Sequence, residues 1–475
     1  MLEEELLQLV NKVTSEKCEK QHIEIKKAAG GTPLKLYDTL SSFSNQRGGG
    51  TIVFGIDEDA GFTVTGVYDA QDLQKKVMEQ SLQMEPVVRP LFTVAKIKES
   101  FVVSAEISEC DIYDKPCFYK GTGRLRGSYI RVGDSDQPMT EYEIYSYEVF
   151  KRRIHDELRI DDRATYENLP KDNVTEYLIK LRRQKQNLVN LEDGRLLESQ
   201  GICQNYVPTL AGLMLLGEYP QEFFPQLGVT AMVVQGKEIG ELGDDGERFV
   251  DNKRIEGTIP QMLEGTLAFV RRNMKVKTII TEEGVRSDKP EYPIKAVREI
   301  ILNALIHRDY SVHTDRSPIR LVMYEDRLEL ENPGGLYGRI TVDDLGKVSA
   351  DTRNPYLAGA LEIMIDTENR FSGIPTIEAE LKKAGMPAPV FIDRRGVFKV
   401  IFYKKAAAQS KDVDLEQEIR NYCITPRSRE ELAERFGFHA PTYFIKTYVS
   451  PMLEAGKIKM TIPDKPKSKF QKYYS

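Results

Sequence analysis

The sequence lacks several features that would place it in a membrane or outside the cell. No stretch approaches the roughly 18 apolar residues that a membrane-spanning helix needs. The first five residues are acidic, so we expect no signal peptide. The five cysteines are odd in number and show no Cys-x2-Cys spacing, which favours free thiols in a reducing cytoplasm over disulfides or structural zinc. We therefore predict a cytoplasmic protein that binds no membrane.

The chain also lacks a surplus of positive charge. It has 67 Lys and Arg against 73 Asp and Glu, a net charge of -6, so any contact with nucleic acid must come from local basic patches. The apolar fraction of 40% is enough for real cores, and the 475 residues are enough for about three domains. No internal repeat is visible. The pattern of elements predicts an α+β multidomain protein.

A helix predicted over residues 297–310 carries the first functional pattern. Glu299, Asn303 and His307 are four residues apart, so they fall on one helical face. The opposite, core-facing side carries Val297, Ile301, Ala304 and Leu305. A carboxylate can activate water as a general base, and an amide oxygen can ligate Mg2+. The alternative is an ordinary surface helix with polar residues.

Four further pieces follow this helix in order. Residues 319–324 and 327–331 alternate as a hairpin, and the second strand leads into Asn332-Pro-Gly334-Gly335. Paired glycines let the backbone approach a planar or anionic ligand closely. Arg353-Asn-Pro comes next, and then Ser372-Gly373 opens a helix that continues to residue 383 and offers free N–H groups to phosphate. Residues 396–403 are predicted as a last strand.

This ordered set resembles the divergent GHKL-type ATP-binding domain of bacterial proteins described as RecG-like or as predicted transcriptional regulators. The resemblance implies a Bergerat-like α/β sandwich over residues 201–405, with nucleotide motifs in 297–375 and with ATP and Mg2+ as cofactors. It maps the general base onto Glu299 and the Mg2+ ligand onto Asn303. Further candidate ATP-binding residues are His307, Asn332, Gly334, Gly335, Arg353, Ser372 and Gly373.

The chain departs from the family pattern at one place. Better known members have Asp-x-Gly-x-Gly, in which the Asp contacts the adenine amino group. Here the sequence from 331 to 335 is Glu-Asn-Pro-Gly-Gly, without that Asp. Adenine specificity therefore does not follow from the resemblance in the way the fold does.

Residues 1–150 are predicted as an α+β unit that resembles the Schlafen AlbA-type domain. The matching pieces are Glu24-x-Lys26, Ser-x-Phe-Ser-Asn at 41–45, Gly-Gly-Thr at 49–51, Gly-Ile-Asp at 55–57 and Tyr-Ile-Arg-Val-Gly at 129–133. The resemblance implies nucleic-acid binding, usually of DNA. Candidate phosphate contacts are Lys26, Lys27, Arg47, Arg124, Arg126 and Arg131. For Lys26 and Arg131 the alternative is an internal salt bridge with Glu24 or Asp57.

The same domain permits a catalytic alternative. Animal Schlafen proteins cut RNA with two Glu and one Asp around a divalent metal, and Glu19, Glu24 and Asp57 occupy similar places here. The competing interpretation is a domain that only binds. Because the stretch has no excess of basic residues, we favour binding over cleavage.

Residues 151–200 are predicted as a helical connector, and residues 412–475 as a small unit that resembles a winged helix. Ser428-x-x-Glu431 predicts a capping box that opens one of its helices. Residues 457–475 carry six Lys and one Asp, which suits a wing over phosphate. Candidate DNA contacts in this unit are Lys446, Lys467 and Lys469. The alternative is a winged helix that docks a protein.

Together these parts favour an ATP-binding, DNA-binding regulator of transcription that switches conformation or oligomeric state with nucleotide. A homo-oligomer is therefore expected. Two alternatives stay open: a metal-dependent Schlafen-type nuclease that acts in defence, and a non-catalytic scaffold with a degenerate nucleotide site.

Overall fold

The structure is a computed structural model. It describes residues 1–241, 246–280, 286–348, 351–365, 373–394 and 396–404. Beyond residue 404 it describes 419–420, 422–423, 426–435, 445, 449–454, 457–462, 468 and 471–474. Within this part of the chain, no helix is both long and apolar enough to cross a membrane.

The N-terminal domain is built on a four-stranded sheet of order β1-β2-β7-β6. β1 pairs parallel with β2, and the other two pairings are antiparallel. Its elements are α1 (Glu3–Glu16), β1 (Ile23–Lys26), α2 (Tyr37–Asn45), β2 (Gly50–Phe54), β3 (Ile56–Asp57), β4 (Thr63–Val64), α3 (Ala70–Ser81), β5 (Met84–Glu85), β6 (Leu91–Ile97), β7 (Ser100–Ile107), β8 (Phe118–Tyr119), α4 (Gly123–Gly127), β9 (Tyr129–Val132), β10 (Ser135–Pro138) and α5 (Glu141–Arg152).

Two apolar clusters cover the two faces of this sheet. Leu6, Val10 and Val13 of α1 pack with Ile25 and Val53 on one face. The helix α2 packs through Leu36, Leu40 and Phe43 against Ile52 and Phe54 on the other. Because side chains alternate along a strand, β2 contributes Val53 to the first cluster and Ile52 and Phe54 to the second.

The connector does not form a separate unit. It contains α6 (Lys171–Gln184) and α7 (Asp193–Ser199), and it is followed by β11 (Cys203–Gln204), β12 (Val207–Pro208) and α8 (Leu210–Leu216). Val174, Tyr177 and Leu178 of α6 belong to the same hydrophobic core as the central helices and sheet. The predicted boundary near residue 200 therefore does not separate two cores.

The central domain carries a six-stranded sheet of order β14-β13-β17-β18-β20-β19, in which only the β13–β17 pairing is parallel among the residues described. Its elements are β13 (Val229–Val233), β14 (Asp251–Ile255), α9 (Ile259–Asn273), β15 (Val276–Ile280), β16 (Arg286–Pro290), α10 (Ile294–His307), β17 (Ile319–Met323), β18 (Arg327–Pro333), α11 (Pro355–Met364), α12 (Gly373–Lys383), β19 (Val390–Arg394) and β20 (Val397–Tyr403). The helix α10 packs between α9 and α12.

The described part of the C-terminal unit has a small sheet of order β21-β23-β22. Its elements are β21 (Arg427–Ser428), α13 (Arg429–Arg435), α14 (Ser450–Glu454), β22 (Lys459–Met460) and β23 (Lys472–Tyr474). The predicted capping box is present, since Glu431 N donates to Ser428 Oγ at 3.1 Å and Ser428 N donates to Glu431 Oε2 at 2.8 Å.

Some predicted elements differ from those of the structure. The strands β14 and β19 were not predicted. Both lie at sheet edges and contain polar residues such as Lys253 and Asp393. These residues interrupt the apolar–polar alternation by which a strand is recognised in a sequence.

Candidate nucleotide site and nucleic-acid surface

The helix α10 brings the three predicted polar residues to one cavity. Val297, Ile301 and Leu305 are buried in the core, which fixes the rotation of the helix. Glu299, Asn303 and His307 then line the opposite side and face a cavity of about 1140 Å³. Ligand pockets commonly have volumes of about 300–1,000 Å³, so the cavity has room for a nucleotide.

Glu299 and Asn303 meet the first residue of α12. A Cβ at Gly373 would lie 2.7 Å from Glu299 Oε1 and 3.1 Å from Asn303 Nδ2, so a side chain there would displace the ends of these two residues. Neither Glu299 nor Asn303 is paired with another described side chain. Burial raises the pKa of Glu299, and Arg298 opposes this shift. Ser372, predicted beside Gly373, lies outside the described residues.

Asn332 supplies a second carboxamide at the end of β18. Its side chain is only 4% exposed, and its Oδ1 has no hydrogen-bond partner among the described residues. The cavity wall beside it is apolar and includes Leu330, Phe398 and Val400. A buried polar atom without a partner is costly, so this amide is suited to pair with a ligand.

The glycine pair follows directly after β18 and also lines the cavity. Gly334 has a φ of +101°, and a Cβ there would lie 2.5 Å from the Cβ of Asp309. A Cβ at Gly335 would lie 2.8 Å from Asp393 Oδ1. Glycine is therefore required at residue 334, whereas a side chain at residue 335 would displace the carboxylate of Asp393.

Arg353 does not face the cavity, in contrast to its predicted role in binding ATP. Its Nη1 lies 2.7 Å from Asp309 Oδ2, and its Nη2 donates to Gly335 O at 3.2 Å. Both Arg353 and Asp309 are about 5% exposed. The guanidinium therefore stabilises the glycine loop from the side away from the cavity. It does so because it pairs with the Asp309 carboxylate and donates to the Gly335 carbonyl.

Asn354 in the same motif is also structural. Its Nδ2 donates to Ile306 O at 2.8 Å and to Arg308 O at 2.7 Å, which closes the C-terminal end of α10. His307 lies at this end and exposes its ring to the cavity. The protein atoms around the cavity and the nearby Arg353 both lower the pKa of His307. At neutral pH its imidazole is therefore neutral and can donate or accept a hydrogen bond.

Sequence reasoning missed three polar residues that hold the site together. Tyr142 of α5 donates to Asp309 Oδ2 at 2.8 Å, and Asp393 Oδ1 accepts from Leu336 N at 3.3 Å. Arg353 and the hydrogen bonds from Ser311 N and Tyr142 hold the pKa of Asp309 low against the effect of its burial. Arg308 and Asp309 directly after an apolar helix were the available signal. Tyr142 and Asp393 gave none, because their roles depend on tertiary contacts.

In the N-terminal domain the predicted residues meet as ion pairs. Arg131 has a side chain that is 1% exposed, and its Nη2 lies 2.7 Å from Glu24 Oε2 and 3.6 Å from Glu19 Oε2. Its Nη1 lies 3.0 Å from Asp136 Oδ1. Arg131 therefore forms the internal salt bridge that was the alternative to a phosphate contact. Its guanidinium is buried and does not reach the surface.

Basic side chains also lie against the three carboxylates of the nuclease alternative. Glu24 is paired with both Arg131 and Lys26, whereas Asp57 is paired with Lys27. Burial raises the pKa of Glu19 to about 7. In the part of the chain that the structure describes, no group of three or more His, Cys, Asp or Glu is placed to hold a metal ion.

Lys27, Arg47 and Arg124, three of the other predicted DNA contacts, each lie near an acidic side chain. Lys27 and Arg47 have side chains that are 63% and 62% exposed. Arg124 pairs with Glu148, and Arg47 contacts Thr341 and two aspartates of the central domain. Arg126 is exposed on α4. Lys446, Lys467 and Lys469 lie outside the described residues.

Three family models match separate parts of the chain. Residues 19–140 match "Schlafen, AlbA_2", residues 316–402 match "Putative ATP-dependent DNA helicase recG C-terminal", and residues 422–474 match "Filamentation induced by cAMP protein Fic-like, C-terminal domain". A comparison with curated proteins gives no match.

Two solved structures are similar to the chain. The crystal structure of the DIP2311 protein from Corynebacterium diphtheriae is 18% identical, with a TM-score of 0.41, over 95% of this chain and 92% of that one. The solution structure titled "N-terminal Domain of Putative ATP-dependent DNA Helicase RecG-related Protein from Nitrosomonas europaea" is 26% identical, with a TM-score of 0.23, over 28% of this chain and 92% of that one. The chain thus combines a Schlafen AlbA_2 domain with a RecG-like HATPase_c_4 domain and a Fic-like C-terminal domain.

Proposed function

We propose that the protein is an ATP-binding, DNA-binding regulator whose central cavity holds the nucleotide. The observation that carries this proposal is the cavity itself. A carboxylate and two carboxamides, from Glu299, Asn303 and Asn332, face one volume without partners among the described side chains. Unpaired polar groups around a cavity of nucleotide size are the expected mark of a ligand site.

The residues divide into two groups along the cavity. Asn332, with Leu330, Phe398 and Val400, forms an apolar end with one amide, which suits a flat base with a hydrogen-bonding edge. Glu299 and Asn303 form the polar end beside the N-terminus of α12, where the first N–H groups of a helix favour phosphate. This division supports ATP as the ligand, because ATP has a flat, largely apolar base at one end and a charged polyphosphate at the other.

The roles of the two α10 residues follow from their chemistry. Mg2+, when bound with the nucleotide, would neutralise phosphate charge and would take oxygen ligands such as Asn303 Oδ1. Glu299 can accept a proton from water, because it is ionisable and no cation in the described structure neutralises it as an ion pair. Gly373 leaves the space that these two side chains need.

The test compares variants of these two residues. We expect Mg-ATP to raise the melting temperature of the full chain, because a ligand of the folded state stabilises it by mass action. Asn303→Ala should remove the Mg2+-dependent part of this shift. Glu299→Gln should keep the shift and lose hydrolysis, and normal turnover in Glu299→Gln would exclude it as the base.

The DNA-binding part of the proposal rests on the two flanking units. The match to an AlbA_2 domain, the exposed Lys27, Arg47, Arg124 and Arg126, and the lysines of the C-terminal unit support it. The strand order β21-β23-β22 with α13 and α14 is consistent with a winged helix. Removal of residues 412–475 should weaken duplex binding and reduce its salt dependence by about one unit of slope for each lost phosphate contact.

We also propose that the N-terminal domain binds nucleic acid without cutting it. Arg131 lies among the carboxylates where a metal would have to sit, and Lys27 holds Asp57. Incubation with Mg2+ or Mn2+ should therefore leave tRNA-like RNA and DNA intact. Metal-dependent cleavage that disappears in both Glu24→Ala and Asp57→Ala would make the nuclease the better assignment.

A further inference from the structure

One segment of the central domain touches both the cavity and the N-terminal domain. Residues 334–348 are here called the bridging segment. The segment begins with the glycine pair, directly after β18. Gly334, Gly335 and Lys347 are among its residues that line the cavity. Its outer side meets residues 47, 113 and 150 of the N-terminal domain.

The aromatic part of this contact holds the segment in place. Phe150 of α5 is 8% exposed and packs edge-on against Tyr337, with ring centroids 5.4 Å apart. A Cβ at Gly338 would lie 2.9 Å from the Phe150 ring, so the two chains are in close contact. The guanidinium of Arg339 lies 5.2 Å from the ring of Tyr113.

The polar part of the contact involves Arg47. Its Nη1 donates to Thr341 Oγ1 at 2.6 Å, and its guanidinium nitrogens lie 4.0 Å from Asp343 Oδ2 and 3.9 Å from Asp344 Oδ2. One hydroxyl and two carboxylates thus surround a basic side chain that is 62% exposed. These partners present oxygen and negative charge to the guanidinium, as a DNA phosphate would.

We propose that the bridging segment masks Arg47 from DNA and that nucleotide in the cavity releases it. This proposal rests on the proposed function, since it requires both ligands. Exposed ion pairs of this kind shift an equilibrium by about fivefold at most, so the contact is weak enough to be exchanged for a phosphate.

The connection to the cavity runs through Asp344 and Lys347. The backbone carbonyl of Asp344 accepts from Lys347 N at 3.0 Å and from Val348 N at 3.3 Å, so the turn carrying Asp344 and the cavity wall move together. Lys347 is among the residues that line the cavity, and its positive charge, which acts on Asp344, would also attract a polyphosphate. A displacement of Lys347 toward phosphate would draw the aspartates away from Arg47.

The test measures the affinity of the full chain for a short mixed-sequence DNA duplex, with and without Mg-ATP. The variant Asp343→Asn/Asp344→Asn removes the masking charges and keeps an oxygen that can cap Thr341 N. Without nucleotide it should bind DNA about fivefold more tightly than the wild type. Mg-ATP should tighten wild-type binding by a similar factor and should not tighten binding by the variant.

Two controls separate masking from a general change of charge. Asp162→Asn/Glu167→Gln removes two exposed negative charges from the connector and should leave DNA affinity nearly unchanged. Adding Arg47→Ala to the double aspartate variant should abolish its gain, because the gain belongs to the freed arginine. A gain that survives Arg47→Ala, or that the connector variant reproduces, would overturn the masking.

The outcomes also separate this proposal from the proposed function. If Mg-ATP does not shift the melting temperature, the proposed function fails, whereas the aspartate variant still tests the masking without nucleotide. If Mg-ATP binds and tightens DNA binding equally in the wild type and in the aspartate variant, the nucleotide site stands and the coupling through residues 343 and 344 is wrong.

Discussion

Glu24 in the N-terminal domain and Glu299 in the central domain are both carboxylates that are at least partly buried. They differ in the charged groups that lie next to them. Glu24 is paired with Arg131 and Lys26, so its charge is neutralised within the fold. Glu299 faces an open cavity next to Asn303, and no ion pair neutralises it in the described structure. The first arrangement stabilises a domain, whereas the second leaves a group available for a ligand.

The comparison shows that residue type does not distinguish a structural carboxylate from a functional one. Both acids were candidates for chemistry from the sequence, Glu24 in a metal cluster and Glu299 as a general base. The difference lies in the cation that the fold brings to Glu24 from β9, more than a hundred residues away along the chain. Variants of the two sites test whether the carboxylate with a cation partner is structural and the other one binds a ligand.

The largest effect is expected from Arg131→Ala. Loss of the guanidinium leaves the partly buried Asp136 without its cation and the buried Glu24 with Lys26 alone, and breaking a buried ion pair costs about 3–5 kcal/mol. Urea unfolding of the full chain should show the loss, whereas Arg126→Ala, at an exposed site, should change little. Unchanged stability together with lost DNA affinity would show that Arg131 acts as a contact instead.

The second prediction concerns the pH dependence of ATP hydrolysis. Burial raises the pKa of Glu299, so its acid form, which cannot accept a proton, persists to higher pH than for an ordinary carboxyl group. The rate should fall as pH decreases through this raised pKa, by about tenfold per pH unit below it. The measurement is kcat against pH. A rate that stays constant down to the ordinary pKa of a glutamate would contradict the assignment.

The raised pKa of Glu299 affects stability in the direction opposite to its effect on the rate. Stability decreases as pH rises, whereas the rate of hydrolysis increases. A raised pKa means that the folded state favours the protonated carboxyl, so this group contributes stability at low pH that is lost as pH rises through the folded-state pKa. Ligand binding and folding therefore place opposing demands on Glu299. Glu299→Gln should remove this pH dependence from the melting temperature, and a dependence that stays the same would assign it to other groups.

A smaller effect is expected at the base-binding end of the cavity. Asn332→Leu removes the unpaired amide, so the Kd for ATP should rise about tenfold through the loss of a buried hydrogen bond. Purine riboside triphosphate, which lacks the 6-amino group, should bind the wild type and the variant nearly equally. Equal ATP affinity in the two proteins would mean that Asn332 does not contact the base.

The smallest effect is expected from Tyr142→Phe, which removes the hydrogen bond from α5 to Asp309. Because Arg353 still neutralises Asp309, the loss should be about 1 kcal/mol of unfolding free energy. The exposed Tyr206→Phe is a matched control. A loss as large as that of Arg131→Ala would show that the domain contact is as strong as the buried cluster.

Local sequence was sufficient for the helix that carries the site. The spacing of Glu299, Asn303 and His307 against an apolar face set both the helix α10 and the direction of its polar side, because the period of a helix is a local property. The order of the glycine-containing motifs after it indicated the domain type that the family match at residues 316–402 supports. Glycine is required at residue 334 by its positive φ and close packing, and glycine at residues 335 and 373 leaves room for the ends of Asp393 and Glu299.

Only the tertiary structure decided which charged residues are available to a ligand. Arg131 and Arg353 looked like ligand contacts in the sequence, and the fold places each beside a carboxylate that lies far from it along the chain. Arg47 is likewise met by a turn almost three hundred residues away. A charge is structural or functional according to its partner, and the partner is chosen by long-range packing, which no local pattern of residues encodes.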